Sequence, residues 1–385
     1  MENQSEPELS QKNLSLKEAF DKKTIILLGF AAFVLLLYFI LEDISIFSMI
    51  DTFLGANVII LTIGAGFTFI AVLLDTFAWK ILLGISRIYP STKTTYRIQL
   101  SSFSYGLLIP SAGAVEAIMK VVMGTQEFFN EEERRNATSG EVLSSVVAHK
   151  LCGLLAFIPI STFIAVSMFE YLSAILVELG YPPLPNGFNL IFVLLISIIT
   201  VLIVGLFILI ALSPNKAKSI LNTFLQGFSS LPLVSTRINS EKLSSDKLVD
   251  DFSIQFSYLA KNKLISSVAL ILAFFAQVAH WLSILLILHS VNIAISLDQV
   301  AAVNFLGGTV DLIPVGIPGM AGLKEISLSV FIEYGLSIST DMALSGAILV
   351  QLVKFYFLIV VGLLVYILGK TRVTSQDIED SSTLI

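Results

Sequence analysis

Six long stretches of the chain are almost free of charged side chains. They cover residues 24–41, 58–79, 151–169, 188–212, 264–291 and 342–369, and Asp75 and Lys354 are the only Asp, Glu, Lys or Arg residues within them. Each stretch has about 18 to 28 residues, enough for an α-helix to cross a bilayer core of about 30 Å. The pattern predicts an all-α polytopic membrane protein with about six transmembrane helices.

Most lysine and arginine residues lie in alternate connections between these stretches. The segments 42–57, 171–187 and 292–297 contain none. Because basic residues concentrate in short cytoplasmic loops, this distribution orients the chain. We expect polar cytoplasmic tails at 1–23 and 370–385, an outer loop at 171–187, and a multi-pass protein of the cell membrane.

Two further apolar segments, 98–124 and 298–334, must enter and leave the membrane on the same side for this distribution to hold. Both contain helix-breaking residues, and broken backbone at membrane depth is tolerated only where protein or a polar cavity surrounds it. We therefore expect two re-entrant helical hairpins. The residues expected to shape them are Pro110, Gly113, Pro314, Pro318, Gly319 and Gly322.

The order of two spans, one hairpin and one span occurs twice, in opposite orientations. Residues 24–170 are expected to form a first membrane repeat and residues 188–369 a second, which includes a cytoplasmic amphipathic segment at 214–263. Each hairpin has a proline followed by the pattern G-x-x-E, which contains Glu116 in the first and Glu325 in the second. Inverted repeats with broken helices are typical of transporters. Alternatively, each glutamate only stabilises the first turn of its helix through the helix dipole.

The composition argues against several other classes of protein. Hydrophobic residues make up 55% of the 385 residues, charged residues make up 14%, and the formal net charge is −6. This acidic balance gives no indication of nucleic-acid binding. One cysteine and three scattered histidines predict neither a disulfide nor a metal site, and we expect no cofactor. Because the chain has no catalytic motif, we expect a protein that is not an enzyme.

Ionisable residues at membrane depth are the candidates for function, because they are costly there. Lys354 lies near the middle of the sixth span, where it either locks two helices through an ion pair or binds the phosphate of a head group. Lys120 follows Glu116 by one helical turn, and a simple surface pair at the cytoplasmic mouth would explain both residues equally well. The candidate substrate-binding or translocation residues are Glu116, Lys120, Lys150, Asp311, Lys324, Glu325, Lys354 and Tyr356.

Two other polar residues within the spans have structural interpretations. Asp75 precedes Lys80 by five residues, which favours a polar residue at the interfacial end of its helix. His280 lies in the middle of the fifth span beside Trp281. A lone histidine there is more typical of a hydrogen-bonded packing residue than of a proton relay.

The second hairpin resembles the signature of a known family. Residues 314–325 read PVGIPGMAGLKE, which is similar to the P-G-G-x-G-x-x-E signature of the lysylphosphatidylglycerol synthase transmembrane region family. Residues 351–356 read QLVKFY and are similar to the final span of that family, which usually has an arginine at the position of Lys354. The first half differs more, since Lys150 lies in a stretch where the family often has arginine. The resemblance covers roughly residues 24–369.

This resemblance implies a lipid flippase-like membrane module. In fused members of the family, such a module translocates the aminoacylated phospholipid that a C-terminal soluble synthase domain makes. The present sequence ends about 15 residues after its last predicted span. We therefore expect no synthase domain and no lipid aminoacylation by this chain.

The leading prediction is a flippase or scramblase-like protein that moves an anionic or lipid-linked head group between leaflets. Its partners would be membrane lipids, including a lipid-linked sugar or an aminoacylated lipid, and the sequence predicts no oligomeric state. Two alternatives stay open. One is a secondary transporter of a small solute, coupled to protons through Glu116 or Glu325. The other is a membrane partner of an enzyme that glycosylates or aminoacylates lipids.

Overall fold

The computed structural model describes residues 45–108, 114–131, 134–178, 180–183, 261–309 and 322–369, with isolated positions at 33, 36, 38, 40, 198 and 202. Apart from those isolated positions, the first and fourth predicted spans lie outside the described residues. So do both tails, most of the predicted amphipathic segment, and the hairpin residues Pro110, Gly113, Asp311, Pro314, Pro318 and Gly319.

The described part of the chain is mostly helical. In chain order its helices are α1 (Ile46–Leu54), α2 (Val58–Ile85), α3 (Thr92–Leu108), α4 (Ala114–Glu127), α5 (Ser139–Glu178), α6 (Lys263–Ser290), α7 (Leu297–Thr309), α8 (Leu323–Leu336), α9 (Thr340–Gln351) and α10 (Phe357–Ile367). A π-helical segment, Leu352–Tyr356, joins α9 to α10, and two short antiparallel strands, β1 (Phe129–Asn130) and β2 (Arg135–Asn136), lie between α4 and α5.

Three helical stretches in the described ranges are long and apolar enough to cross a membrane. They are α2, α6 and the continuous stretch Thr340–Ile367, which contains α9, the π-helical segment and α10. Each has 28 residues, or about 42 Å at 1.5 Å per residue. They coincide with the second, fifth and sixth predicted spans. The third predicted span lies within α5, a helix of 40 residues.

Small residues bring α2 and α6 close together. A Cβ atom added to Gly64 would lie 3.2 Å from the backbone nitrogen of Ile287, so glycine permits the approach at this point. The hydroxyls of Thr68 and Ser283 form a buried hydrogen bond of 2.7 Å between the two helices. Close packing of small residues with a few polar contacts is how helices associate in lipid, where burial of apolar surface gives little driving force.

The helices α3 and α4, which precede and follow residues 109–113, form an antiparallel pair. At one end of the pair, a Cβ atom added to Gly106 would lie 2.7 Å from the Cβ atom of Glu116. At the other end of the pair, Arg97 and Glu127 form an ion pair. Early residues of one helix therefore lie beside late residues of the other. These two helices are the arms of the first predicted hairpin, and its tip lies outside the described residues.

A polar network begins α5 and holds the strands beside it. Glu141 accepts hydrogen bonds from the backbone nitrogen of Thr138 at 2.8 Å, from Asn130 Nδ2 at 2.9 Å and from both terminal nitrogens of Arg135 at 3.1 Å. Thr138 Oγ1 in turn accepts from the backbone nitrogen of Glu141 at 3.2 Å, which completes a reciprocal cap. This cap fixes where α5 begins, 11 residues before Lys150.

The stretch expected to connect the first two spans contains the short helix α1. Ser45 begins it by accepting a hydrogen bond from the backbone nitrogen of Ser48. Met49 faces inward and packs against Leu344 of α9, whereas Phe47 is 81% exposed. The apolar residues follow helical spacing here, so the connection is helical rather than an irregular loop.

The last span contacts both halves of the described chain. Its first part, α9, packs in the largest apolar cluster together with residues of α6, α7 and α8. Its final part, α10, packs on α3, where Ser104 Oγ donates to the backbone oxygen of Leu358 at 3.2 Å. Gly362 permits this approach, because an added Cβ would lie 2.5 Å from the backbone oxygen of Leu100.

Candidate functional site

Polar and charged side chains from α2, α3, α4 and α5 meet where these four helices pack together. We call this group the first polar cluster; its members are Asp75, Gln99, Glu116, Lys120, His149 and Lys150. Asp75 lies ten residues before the end of α2, and Lys150 lies 11 residues after the start of α5. Each is therefore about 15 Å along its helix from the nearer end.

Glu116 forms ion pairs with two lysines. Its Oε1 atom lies 2.8 Å from Lys120 Nζ and its Oε2 atom lies 2.7 Å from Lys150 Nζ. The Lys120 side chain has no exposed surface, whereas the Lys150 side chain is 47% exposed. The interpretation of Glu116 and Lys120 as an exposed surface pair is therefore wrong. They are one turn apart as expected, but α2 and α5 cover them.

Asp75 has a different environment from the one its sequence position suggested. The helix continues for ten residues beyond it, so it is not at a helix end. Its Oδ1 atom lies 2.9 Å from His149 Nε2, and its Oδ2 atom accepts a hydrogen bond from Gln99 Nε2 at 2.8 Å. Asp75, Gln99 and His149 were missed as site residues. Two features of the sequence could have indicated these residues: a histidine directly before Lys150, and an aspartate within an apolar span.

Trp79 and Ser145 border the first polar cluster. Lys120 Nζ lies 5.3 Å from the centre of the Trp79 ring, within the range of a cation–π interaction. The indole Nε1 donates to Ser145 Oγ at 3.0 Å, and Trp79 is fully buried. Trp79 and Ser145 each lie one turn from a cluster member, Asp75 and His149 respectively. The polar groups on α2 and α5 therefore continue along one face of each helix.

A second polar cluster lies in the later half of the chain; its members are Asn304, Lys324, Glu325, Lys354 and Tyr356. Glu325 Oε1 accepts a hydrogen bond from the Tyr356 hydroxyl at 2.6 Å. Its Oε2 atom accepts from the backbone nitrogen of Gly322 at 2.7 Å, which caps the start of α8. The hydrogen bond from Gly322 is a direct contact through which Glu325 stabilises the start of its helix. Gly322 has a φ of +81°, a conformation that favours glycine.

The ammonium groups of Lys354 and Lys324 both lie near one aromatic ring beside this second cluster. Their Nζ atoms are 5.6 Å and 4.3 Å, respectively, from the centre of the Phe355 ring. Lys354 also donates to Asn304 Oδ1 at 3.2 Å, and only 8% of Lys354 is exposed. The π-helical segment carries Lys354, Phe355 and Tyr356, so one irregular turn supplies two members of the cluster and the aromatic ring beside them. Such turns are frequent at functional sites.

Polar residues in the two halves of the described chain occupy matching positions on successive helices. Asp75 and His280 each lie seventeen residues after the first residue of α2 and α6, which are both 28 residues long. Gln99 and Asn304 each lie seven residues after the start of α3 and α7. Glu116 and Glu325 are the third residues of α4 and α8, which both have 14 residues. The same order of polar positions thus occurs twice.

His280 interacts electrostatically with one member of each cluster. It is within electrostatic range of Lys354 in the second cluster and of Asp75 in the first. Its Nδ1 atom is buried, and no described residue forms a hydrogen bond with it. The sequence favoured a hydrogen-bonded packing role for His280. In the described part of the chain, its Nδ1 atom has no partner for such a bond.

All but one of the predicted substrate-binding or translocation residues lie in one of the two clusters. Glu116, Lys120 and Lys150 come together in the first cluster, and Lys324, Glu325, Lys354 and Tyr356 come together in the second. Asp311 lies outside the described residues. Among those that are described, no group of three or more His, Cys, Asp or Glu residues is arranged to hold a metal ion.

Comparison with known proteins gives one match. The profile of the family described as "Lysylphosphatidylglycerol synthase TM region" matches residues 26–362. No curated protein and no solved structure matches the chain.

Proposed function

The chain belongs to the lysylphosphatidylglycerol synthase TM region family, and on that premise we propose that it is a flippase- or scramblase-like transporter of lipid head groups. The family and the long apolar helices make it a membrane protein related to lipid modification or transport. The proposed activity is movement of an anionic or lipid-linked head group between the leaflets of the cell membrane. The proposed partners are membrane lipids, including lipid-linked sugars or aminoacylated lipids.

The first polar cluster is the observation that carries this proposal. Two carboxylates and two lysines lie among apolar helices, where each charge is costly unless it is paired. Three of the four are at most about one-third exposed, but Lys150 is 47% exposed. A purely structural ion pair needs no exposed member. A site that binds a charged head group needs an exposed charged side chain, and Lys150 provides one.

The matching polar positions support an inverted repeat as the framework of transport. In this proposal, the re-entrant hairpins are formed by two helix pairs. The first is α3 with α4 and the second is α7 with α8. The second helix of each pair carries a glutamate in its first turn. Transporters built from inverted repeats place their sites where such helices meet. In this proposal the head group passes between the two clusters, close to His280, while its acyl chains stay in lipid.

The proposed orientation places both termini in the cytoplasm. It follows from the lysine and arginine distribution, because short cytoplasmic loops carry the excess of basic residues. In this orientation the turn between α4 and α5, which includes Arg134 and Arg135, faces the cytoplasm. A cysteine introduced there should react with a membrane-impermeant maleimide only after the cells are opened.

A reconstitution experiment tests the proposed activity. Purified protein is placed in liposomes with tail-labelled fluorescent lipid analogues that differ in head group, and the fraction quenched by external dithionite is followed over time. Transport predicts quenching beyond the outer-leaflet fraction, at a rate above that of empty liposomes. Glu116→Gln should reduce the rate, because it removes the shared partner of two lysines. Lys261→Gln is the matched control, since it neutralises an exposed lysine before α6.

Two results would contradict the proposal. One is that no head group changes leaflet faster than in empty liposomes, across anionic, zwitterionic and sugar-linked lipids. The other is uptake of a water-soluble solute that depends on a proton gradient and disappears in Glu325→Gln, with no lipid movement. That second result would identify a proton-coupled secondary transporter.

A further inference from the structure

The two lysines of the first polar cluster share one carboxylate but differ in burial. Lys120 contacts Glu116 Oε1 at 2.8 Å and has no exposed side-chain surface. Lys150 contacts Oε2 at 2.7 Å, and 47% of its side chain is exposed. Moving Lys120 away from Glu116 would leave a fully buried ammonium group without its close carboxylate partner. Lys150 has the more exposed side chain of the two, so moving it away from Glu116 buries no additional unpaired lysine side chain.

The second carboxylate of the cluster has its own close partners. Asp75 has His149 Nε2 at 2.9 Å and Gln99 Nε2 at 2.8 Å, one on each oxygen. When Lys150 leaves Glu116, each of the two carboxylates therefore keeps at least one direct contact. The departure leaves one positive charge available, which matches the single negative charge of a phosphodiester.

We propose that Lys150 binds the phosphate of an anionic phosphodiester lipid by exchanging Glu116 for the phosphate, while Lys120 stays as the fixed counter-ion of Glu116. This inference rests on the proposed function, and it adds the ligand class and different roles for the two lysines. The lysine ammonium donates to the phosphate oxygens, and such charge-assisted hydrogen bonds are stronger than neutral ones. Glu116 displaces the phosphate again when the lipid leaves.

Trp79 provides a spectroscopic test within the cluster. The chain has two tryptophans, so Trp281→Phe leaves Trp79 as the only one. Trp281 Nε1 forms no hydrogen bond with any described residue, so this change removes none in that part of the chain. The Trp79 ring lies 5.3 Å from Lys120 Nζ, so its emission should respond when the charges around Glu116 rearrange.

The experiment titrates the Trp281→Phe protein in detergent with short-chain phosphatidylglycerol, short-chain phosphatidylcholine and inorganic phosphate. Binding is read from Trp79 emission and, independently, from native mass spectrometry. The proposal predicts saturable binding of phosphatidylglycerol and weaker binding of phosphatidylcholine. Adding Lys150→Gln should raise the apparent Kd by about tenfold or more, as expected for loss of a hydrogen bond to a charged group. Lys150→Arg should restore binding, and Lys261→Gln should leave it unchanged.

The possible outcomes separate this inference from the proposed function. If Lys150→Gln binds phosphatidylglycerol as well as its parent does, the inference is overturned, even where lipid transport is intact. It is also overturned if neither method detects binding of phosphatidylglycerol to the parent. If binding depends on Lys150 but no variant moves lipid, the inference holds and the transport proposal fails. Inorganic phosphate that binds as tightly as phosphatidylglycerol would contradict the assignment to a lipid.

Discussion

Replacement of Gly106 by alanine tests the close approach of α3 and α4 beside Glu116. The added Cβ would lie 2.7 Å from the Glu116 Cβ and 3.4 Å from both its Cα and its backbone nitrogen. Carbon atoms prefer separations of about 3.5–4.0 Å, so the two helices must separate by roughly 1 Å. A Cβ cannot move aside by rotation of its own side chain, so the backbone has to shift.

The expected magnitude is a balance between two effects. Overpacking of a close contact costs about 1–3 kcal/mol, whereas alanine gains about 1 kcal/mol over glycine in a helix interior. We therefore expect a net destabilisation of up to about 2 kcal/mol. Displacement of Glu116 should also weaken its contacts with Lys120 and Lys150, so lipid transport should slow as well.

The assay compares thermal unfolding of two glycine variants in the same detergent. Gly66→Ala in α2 is the matched control, because an added Cβ there has no atom within 4 Å. It should unfold at the parent temperature or above it, and Gly106→Ala should unfold below both. If Gly106→Ala is as stable as Gly66→Ala and transports lipid normally, then the close approach of the two helices is refuted.

Three further substitutions have expected outcomes in the same unfolding assay. Lys120→Met leaves buried Glu116 with Lys150 as its remaining lysine partner and should destabilise the protein by about 1.5–3 kcal/mol; the double variant with Glu116→Leu should recover part of this loss, and failure to recover any of it would refute the pairing. Gly362→Ala places a Cβ against the backbone of α3 and should destabilise more than Gly106→Ala; an unchanged melting temperature would show that α10 and α3 are farther apart. Glu141→Ala removes the cap of α5 and should cost about 1–2 kcal/mol, whereas a neutral result would show that the network does not stabilise the helix start.

The apolar pattern predicted the described long helices well, because a helix that contacts lipid must be apolar over most of its surface. The spans at 58–79, 264–291 and 342–369 all coincide with long helices. Helix ends were predicted less well. The second helix continues to Ile85 and the third span is part of a helix of 40 residues. Polar residues beyond the apolar windows belong to the same helices, since backbone hydrogen bonding does not end where hydrophobicity does.

The candidate site was predicted only in part, because its contacts depend on how helices pack. Spacing alone placed Lys120 beside Glu116, and the structure agrees. Spacing could not show that α2 and α5 cover this pair, which changes it from an exposed pair to a buried one. It also could not pair Asp75 with His149, since 74 residues separate them. Their contact requires α2 and α5 to pack at one particular rotation.

The π-helical segment has a consequence for how the two halves of the protein are joined. A π turn accommodates one residue more than an α turn, so it rotates everything after it by about 100° relative to an uninterrupted α-helix. The part before it, α9, packs with α8, and the part after it, α10, packs with α3. Deleting one residue between 352 and 356 would restore an α-helix and turn Gly362 away from α3. One inserted residue thus lets a single helix present one face to α8 and a different face to α3.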